Sequence, residues 1–161
     1  MLIGILSDTH NNTKRTIEAL NILKERGVRM VLHVGDITSV DMLALFSGFN
    51  AKFVLGNEDK NREELNNESR RLGFGLIERR LVFEADGKKF IMFHGSDVPF
   101  FRECVASGEY DYIIKGHTHF FENYISNKSR IINPGALHRA YEFTVATLDT
   151  ETDKVEMIVI E

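Results

Sequence analysis

Two histidines separated by one threonine, in the segment Gly116-His117-Thr118-His119, are the residues whose type and spacing first suggest chemistry. The segment follows Asp111–Lys115, a short apolar run that predicts a β-strand. If the backbone stays extended beyond Gly116, residues two apart point to the same side, and both imidazoles can face one metal ion. Two histidines that are only hydrogen-bonded at a strand end explain the same pattern. The pair alone therefore leaves metal binding open.

Polar side chains also follow other predicted strands. Leu2–Leu6, Met30–Val34 and Ala51–Leu55 are apolar runs typical of buried strands, and each is followed by a polar loop and a helical segment. Three such βα units predict a largely parallel sheet. Functional sites in these sheets are built beyond the C-terminal ends of the strands. The side chains just beyond five predicted strand ends are Asp8, His10, Asp36, Asn57, His94, His117 and His119.

These seven side chains offer two carboxylates, four imidazoles and one amide oxygen, without a thiolate. Imidazole together with carboxylate suits manganese, iron, zinc, cobalt or nickel, whereas calcium or magnesium prefers mostly oxygen ligands. Seven ligands serve two ions best if one carboxylate bridges them, and ions about 3.5–4 Å apart stabilise the oxygens of an in-line phosphoryl displacement. Each fragment alone is also explained as a helix cap, a turn or a structural histidine. Together they predict two divalent transition-metal ions, with manganese as the preferred candidate, and hydrolysis of a phosphate ester.

The second half of the chain predicts strands in series. Asp86-Gly87, between two apolar runs, marks a hairpin whose second strand ends at His94. A helix is predicted over Glu103–Ser107, and Asn133-Pro134-Gly135 breaks the chain before a last hairpin. The number of strands favours two sheets over one. The predicted strands of this half are Leu81–Ala85, Lys89–Phe93, Asp111–Lys115, Phe120–Ser126, Arg130–Asn133, Phe143–Leu148 and Lys154–Ile160.

The bulk composition limits the classes of function. A chain of 161 residues, 43% hydrophobic and 27% charged, is ordinary for a globular protein, so we expect one domain over residues 1–161. The net charge of −4 and the lack of a lysine or arginine run argue against extended nucleic-acid binding and against a membrane surface as partner. The single Cys104 excludes an intrachain disulfide, and without a recognisable signal peptide or spanning run the sequence predicts a cytoplasmic protein.

Five motifs follow one another over nearly the whole chain: Asp8-Thr9-His10, Gly35-Asp36, Gly56-Asn57-Glu58-Asp59, His94-Gly95 and Gly116-His117-Thr118-His119. In this order and spacing they resemble the five-block signature of the calcineurin-like metallophosphoesterases. The compact length and the Asn133-Pro134-Gly135 break are similar to the small single-domain phosphodiesterase branch of that family. The resemblance implies an α/β fold, a four-layer α-β-β-α sandwich of two mixed sheets flanked by helices.

The resemblance also implies how the ligands are divided between two ions. It assigns one ion to Asp8, His10, Asp36 and His119 and the other to Asp36, Asn57, His94 and His117, so that Asp36 is the bridge. It further implies hydrolysis of a small phosphodiester by a metal-bridging hydroxide. The catalytic candidates are then Asp36, Asn57, His94 and Glu58. Spacing by itself indicates only that the seven ligands can converge.

Glu58 is where the sequence departs from the family pattern. Many members carry a histidine directly after the asparagine and use it to protonate the leaving group. Glutamate can replace that acid only if burial or a neighbouring carboxylate such as Asp59 favours its protonated form, and an open cationic site disfavours it. We therefore expect that no strong general acid protonates the leaving group. The alternative is that Glu58 is this acid.

Two other functions are compatible with the same fold. A retromer subunit resembles this family yet serves as a protein-binding scaffold, which predicts eroded ligands, and none of the seven is eroded here. A phosphomonoesterase or pyrophosphatase requires cationic side chains and an acid beyond the metals, and the sequence reveals neither clearly. His33 and His138 are not expected among the ligands. The natural substrate, the native metal and homo-oligomerisation are left open.

Overall fold

The computed structural model describes residues 1–161 as ten strands and four helices. None of the helices combines the length and the apolar character needed to cross a membrane. The helices are α1 Thr13–Glu25, α2 Val40–Ala44, α3 Arg62–Arg71 and α4 Val98–Ser107. The strands are β1 Leu2–Leu6, β2 Met30–His33, β3 Asn50–Phe53, β4 Arg80–Ala85, β5 Lys88–Phe93, β6 Tyr112–Ile114, β7 Phe121–Ser126, β8 Ser129–Pro134, β9 Thr144–Asp149 and β10 Lys154–Val159.

The first sheet has the strand order β10-β9-β1-β2-β3. Strands β1, β2 and β3 are parallel, with Gly4 opposite Val31 and Val31 opposite Ala51. The final hairpin extends this sheet, because β9 runs antiparallel to β1 and β10 antiparallel to β9. The prediction of three parallel strands from three βα units is confirmed.

The second sheet has the strand order β4-β5-β6-β8-β7. Strands β5, β6 and β8 are parallel, and β4 and β7 pair antiparallel at the two edges. The β4–β5 hairpin turns at Asp86 and Gly87, whose φ angles of 55° and 71° are those that a two-residue hairpin turn requires. The hairpin predicted at this position is therefore confirmed.

The two sheets pack face to face, and helices cover their outer faces. Alternation along the strands turns Ile5 and Leu32 towards Phe90 and Met92 of the other sheet. The opposite face of the first sheet packs against α1, α2 and α3, as Val31 does in one cluster with Leu23, Leu43 and Leu65. Helix α4 covers the second sheet through Cys104, which packs with Ile91 and Ile113. The expected four-layer α-β-β-α sandwich of two mixed sheets is confirmed.

Helix α4 differs from its prediction because it begins at Val98 and not at Glu103. The Asp97 side chain caps it by accepting a hydrogen bond from the Phe100 N–H at 3.1 Å, and a proline lies in the first turn. The prediction did not use this cap. The other predicted elements are present, with ends shifted by no more than about two residues.

Candidate metal centre

The loops beyond β1 and β2 hold two buried carboxylates of the first sheet, Asp8 and Asp36. Backbone hydrogen bonds join these loops, from the Asp8 N–H to the Gly35 carbonyl and from the His10 N–H to the Asp36 carbonyl, both at 3.0 Å. The carboxylates therefore lie side by side at the C-terminal edge of parallel strands, where the sequence analysis placed them.

The second sheet brings imidazoles to the same point. His94 follows β5 and His117 and His119 follow β6, and the Gly116 N–H donates to the His94 carbonyl at 2.8 Å. His119 Nε2 lies 3.1 Å from Asp8 Oδ1, and His117 Nδ1 lies 3.2 Å from His94 Nε2. The site is thus shared between both sheets.

Asp36 Oδ2 lies between two imidazole nitrogens, 3.4 Å from His10 Nε2 and 3.3 Å from His94 Nε2. Asp8 Oδ1 lies 3.8 Å from each of the same nitrogens. Both carboxylates therefore stand between the histidines of the two sheets, whereas the resemblance assigns the bridge to Asp36 alone. The ligand atoms that lie within 4.8 Å of one another form two groups, Asp8 with His10 and His119, and Asp8 with Asp36 and His94.

Asn57, the expected amide ligand, has its own hydrogen-bond partner. It is exposed, and its Nδ2 donates to Glu58 Oε1 at 3.1 Å. Its side chain makes no hydrogen bond to the other expected ligands, although it lines the same cleft as His94. Close contacts thus join six of the seven expected ligands, and the Asn57 amide is bonded to Glu58.

The donor set fits divalent transition-metal ions. His10 Nε2 is buried and has no hydrogen-bond partner, although a carboxylate oxygen lies 3.4 Å away. A buried polar atom without a partner is rare in folded proteins and is satisfied by an ion bound between the imidazole and the carboxylate. The single thiol, Cys104, lies on α4, is buried against the second sheet and takes no part.

Backbone carbonyls orient two of the imidazoles. His94 Nδ1 lies 2.8 Å from the Val34 carbonyl, and His119 Nδ1 lies 3.1 Å from the Arg139 carbonyl. Because a carbonyl only accepts hydrogen bonds, each Nδ1 must carry the proton. The lone pair of each Nε2 is therefore free for an ion, as in most histidine metal ligands.

Both carboxylates are ionised at neutral pH. Burial disfavours the charged form of Asp8, but the nearby His10 side chain and the charge interaction with His94 outweigh it and lower the pKa of Asp8 to about 2. The pKa of Asp36 is also lowered, since its interaction with the nearby His94 imidazole outweighs burial. The site therefore presents two negative charges to a cation.

The expectation that the backbone stays extended beyond Gly116 is wrong. His117 and His119 have φ angles of 73° and 63°, in the left-handed region. The physical reason is Asn133, whose Nδ2 donates to the Gly116 carbonyl at 3.0 Å and to Thr118 Oγ1 at 2.9 Å and so folds the loop back. The two rings consequently face different partners, not one point.

Left-handed backbone is a general property of the site. Such a conformation costs a residue other than glycine about 1–3 kcal/mol, and it concentrates where function requires it. The contacts that hold the loops therefore offset a considerable local strain. The ligand residues with positive φ are Asp8 at 52°, His10 at 41°, Asp36 at 56°, His117 at 73° and His119 at 63°.

Asp59 is a residue whose role the sequence analysis missed. Its buried carboxylate accepts backbone N–H groups from Asp36 at 2.9 Å, Thr38 at 2.7 Å and Gly56 at 2.7 Å. Burial raises the pKa of Asp59, although these donors act in the opposite direction. Asp59 thereby holds the loops of Asp36 and Asn57 together. The motif in the sequence includes Asp59, but it does not predict which backbone N–H groups this carboxylate binds.

Glu58 meets neither condition for a general acid. Its side chain is exposed and lies 3.4 Å from Lys60 Nζ. The Asp59 carboxylate is turned to the backbone N–H groups of the loops and not to Glu58. Glu58 contributes to the site through its backbone, because its N–H donates to Asp36 Oδ1 at 2.8 Å.

The family becomes clear when the chain is compared with known proteins. The model of the calcineurin-like phosphoesterase superfamily domain matches residues 1–153. The chain belongs to this superfamily. A phosphodiesterase of Methanocaldococcus jannaschii is 32% identical to this calcineurin-like phosphoesterase over an alignment of 174 residues that covers 100% of both chains.

Solved structures agree with this assignment. An archaeal phosphodiesterase superposes on this calcineurin-like phosphoesterase with a TM-score of 0.93 and 30% identity, over 99% of both chains. The vacuolar sorting protein Vps29 of Cryptosporidium parvum superposes with a TM-score of 0.71 and 18% identity, over 98% of this chain and 95% of its own, which indicates the shared fold alone. The chain is thus a hydrolase of a metal-dependent family.

Proposed function

We propose that this calcineurin-like phosphoesterase hydrolyses small phosphodiesters with two divalent transition-metal ions, manganese first, and that residues 1–161 form one catalytic unit. The observation that carries the proposal is the convergence of two ionised carboxylates and four imidazoles, with Asp36 Oδ2 between His10 and His94. The relative named as a phosphodiesterase, at 32% identity over the whole chain, supports the choice of a diester.

In this proposal Asp36 serves both ions. Asp8, His10 and His119 complete one set, and His94, His117 and Asn57 complete the other once the Asn57 amide turns away from Glu58. When bound, the ions supply Lewis acidity to the phosphoryl oxygens and lower the pKa of the attacking water. The chain's own contribution is to keep the ligands ionised, correctly protonated and held at fixed positions.

The exposure of Glu58 favours phosphodiesters over monoesters as substrates. Glu58 is exposed and paired with Lys60, so no buried acid is available to protonate a poor leaving group. A monoester that releases an alkoxide needs such an acid more than an activated diester does. We infer that the ions carry the leaving-group charge without help from Glu58.

The metal content is the first test. Protein stripped of metal and reloaded with manganese is expected to bind about two ions per chain, because the donor set divides into two sites. Elemental analysis measures the ratio. The control is His138→Ala, which removes an imidazole outside the proposed ligand set, although its ring lies 4.9 Å from that of His10, and should keep the ratio.

Two results would contradict the proposal. A ratio near zero after reloading with manganese, iron, nickel or zinc would favour the scaffold function. With metal bound, bis(p-nitrophenyl) phosphate is expected to react faster than p-nitrophenyl phosphate. The reverse order would favour the phosphomonoesterase.

Substitution of Glu58 tests whether this side chain protonates the leaving group. Glu58→Gln is expected to change the rate by less than about threefold, because an exposed, ion-paired carboxylate is a poor proton donor. Glu58→His should accelerate diesters with poor leaving groups more than those with good ones. The measurement is the slope of log rate against leaving-group pKa for wild type and both variants. A loss of about 10²-fold in Glu58→Gln with a steeper slope would identify Glu58 as the acid.

A further inference from the structure

A cleft of about 190 Å³ opens beside the proposed metal centre, and three arginines line it. The residues that line it include His94 and Asn57 as well as Arg62, Arg79 and Arg80. Three guanidinium groups in one cleft are a local concentration of positive charge in a chain whose net charge is −4. The sequence contains no run of basic residues that would predict this arrangement.

The fold fixes the arginines next to the cluster. Arg62 is the first residue of α3, which follows the loop of Asn57. The Leu55 N–H donates to the Glu78 carbonyl at 2.8 Å, so the segment before β4 lies against the start of the same loop. Arg80 is paired with Phe93, the residue before His94. Arg79 and Arg80 thus lie at the strand end that carries His94.

The Arg80 guanidinium already has partners within the protein. Its Nη2 lies 2.9 Å from Asp97 Oδ2, and its guanidinium lies 3.5 Å from the centre of the Phe100 ring. Asp97 is the only carboxylate among the residues that line the cleft, and its other oxygen caps α4. Arg62 and Arg79 also line the cleft, and neither side chain makes an ion pair or a hydrogen bond within the protein.

We propose that Arg62 and Arg79 bind a second phosphate group of the substrate while the metal centre holds the scissile phosphodiester. This inference rests on the proposed function and narrows its substrate class to phosphodiesters that carry a further phosphate. Guanidinium groups suit a phosphate because their planar donors match its oxygens. The cleft volume lies below the range of about 300–1,000 Å³ that holds whole drug-sized ligands, so it suits one small charged group.

The test uses calorimetry on manganese-loaded protein. The probes are alkane bisphosphonates of increasing chain length, each compared with the alkyl monophosphonate of the same length. One phosphonate binds the metal centre, and the second reaches the arginines when the chain length is right. At that length the bisphosphonate is expected to bind about tenfold more tightly than its partner compound.

The variants assign this difference to the arginines. In Arg62→Gln/Arg79→Gln the ratio of the two affinities is expected to fall to about two, the statistical factor for two identical ends. The matched control is Arg70→Gln, which removes one charge from the same helix α3 outside the cleft and should keep the tenfold ratio.

Two results overturn the inference. One is a wild-type ratio no greater than about two at every chain length, and the other is a raised ratio that persists in the double variant. Hydrolysis of bis(p-nitrophenyl) phosphate by the same preparation reports on the proposed function separately, because this diester carries no second phosphate. Wild-type hydrolysis with a ratio no greater than about two rejects the arginine subsite alone.

Discussion

Replacing Asp36 with asparagine is expected to lower the rate of phosphodiester hydrolysis by more than about 100-fold. Replacing a residue that only orients a metal ligand already lowers metal affinity or activity by about 10–100-fold. Asparagine has the same shape, and its amide oxygen can still accept the Glu58 N–H that now donates to Asp36 Oδ1. Its NH₂ group then replaces Oδ2 between His10 and His94. A neutral donor at this position repels the ions that the carboxylate attracts.

The measurements are the rate with bis(p-nitrophenyl) phosphate and the metal content of the same sample. Asp41→Asn is the control, because it makes the same change of charge at an exposed carboxylate in the first turn of α2. The control should match wild type in both measurements. If Asp36→Asn retained most of the wild-type rate, Asp36 would be a turn residue and not a ligand.

Gly56→Ala is expected to lower both the metal affinity and the rate by about 10–100-fold through a single methyl group. A Cβ atom at this position would overlap Asp36 Oδ1 and the Asp36 backbone nitrogen and lie 2.8 Å from Asp36 Cγ. Gly56 does not have a positive φ, so alanine causes no backbone strain of its own. The Asp36 carboxylate must therefore move, and overpacking of this kind costs about 1–3 kcal/mol of stability.

Gly48→Ala is the matched control for this effect. Gly48 also lacks a positive φ, and an added Cβ atom would have no neighbour within 4 Å. Its rate and metal affinity should equal those of wild type, as measured by kinetics and by titration with manganese. Equal behaviour of the two alanine variants would show that the position of the Asp36 carboxylate does not limit the reaction.

The fold was predictable because its signals are local. The apolar run of β1, the Asp86-Gly87 turn and the polar residues after each parallel strand are read directly along the chain. Asp8 and Asp36 then lie together because the parallel strands β1 and β2 end at a common edge, and His94 reaches them because the second sheet packs on the first. Local patterns of this kind determine which residues reach the site.

The remaining features depend on contacts between distant residues. The left-handed backbone at His117 depends on Asn133, which bonds the loop 17 residues before it. The Asp59 carboxylate reaches the Asp36 N–H 23 residues before it. Asn57 is a further example, because its hydrogen bond to Glu58 follows from the loop conformation and not from the motif. The spacing of residues in the sequence does not predict these hydrogen-bond partners.

The division of the site between the two sheets also links folding to metal supply. Asp8, His10 and Asp36 belong to loops of the first sheet, and His94, His117 and His119 belong to the second. An ion bound by both, as proposed, would act as a reversible cross-link and would stabilise the native state by RT ln(1 + [L]/Kd), about 2.7 kcal/mol at a free concentration 100 times the Kd. The resistance of this protein to proteases would then depend in part on the free concentration of that metal ion.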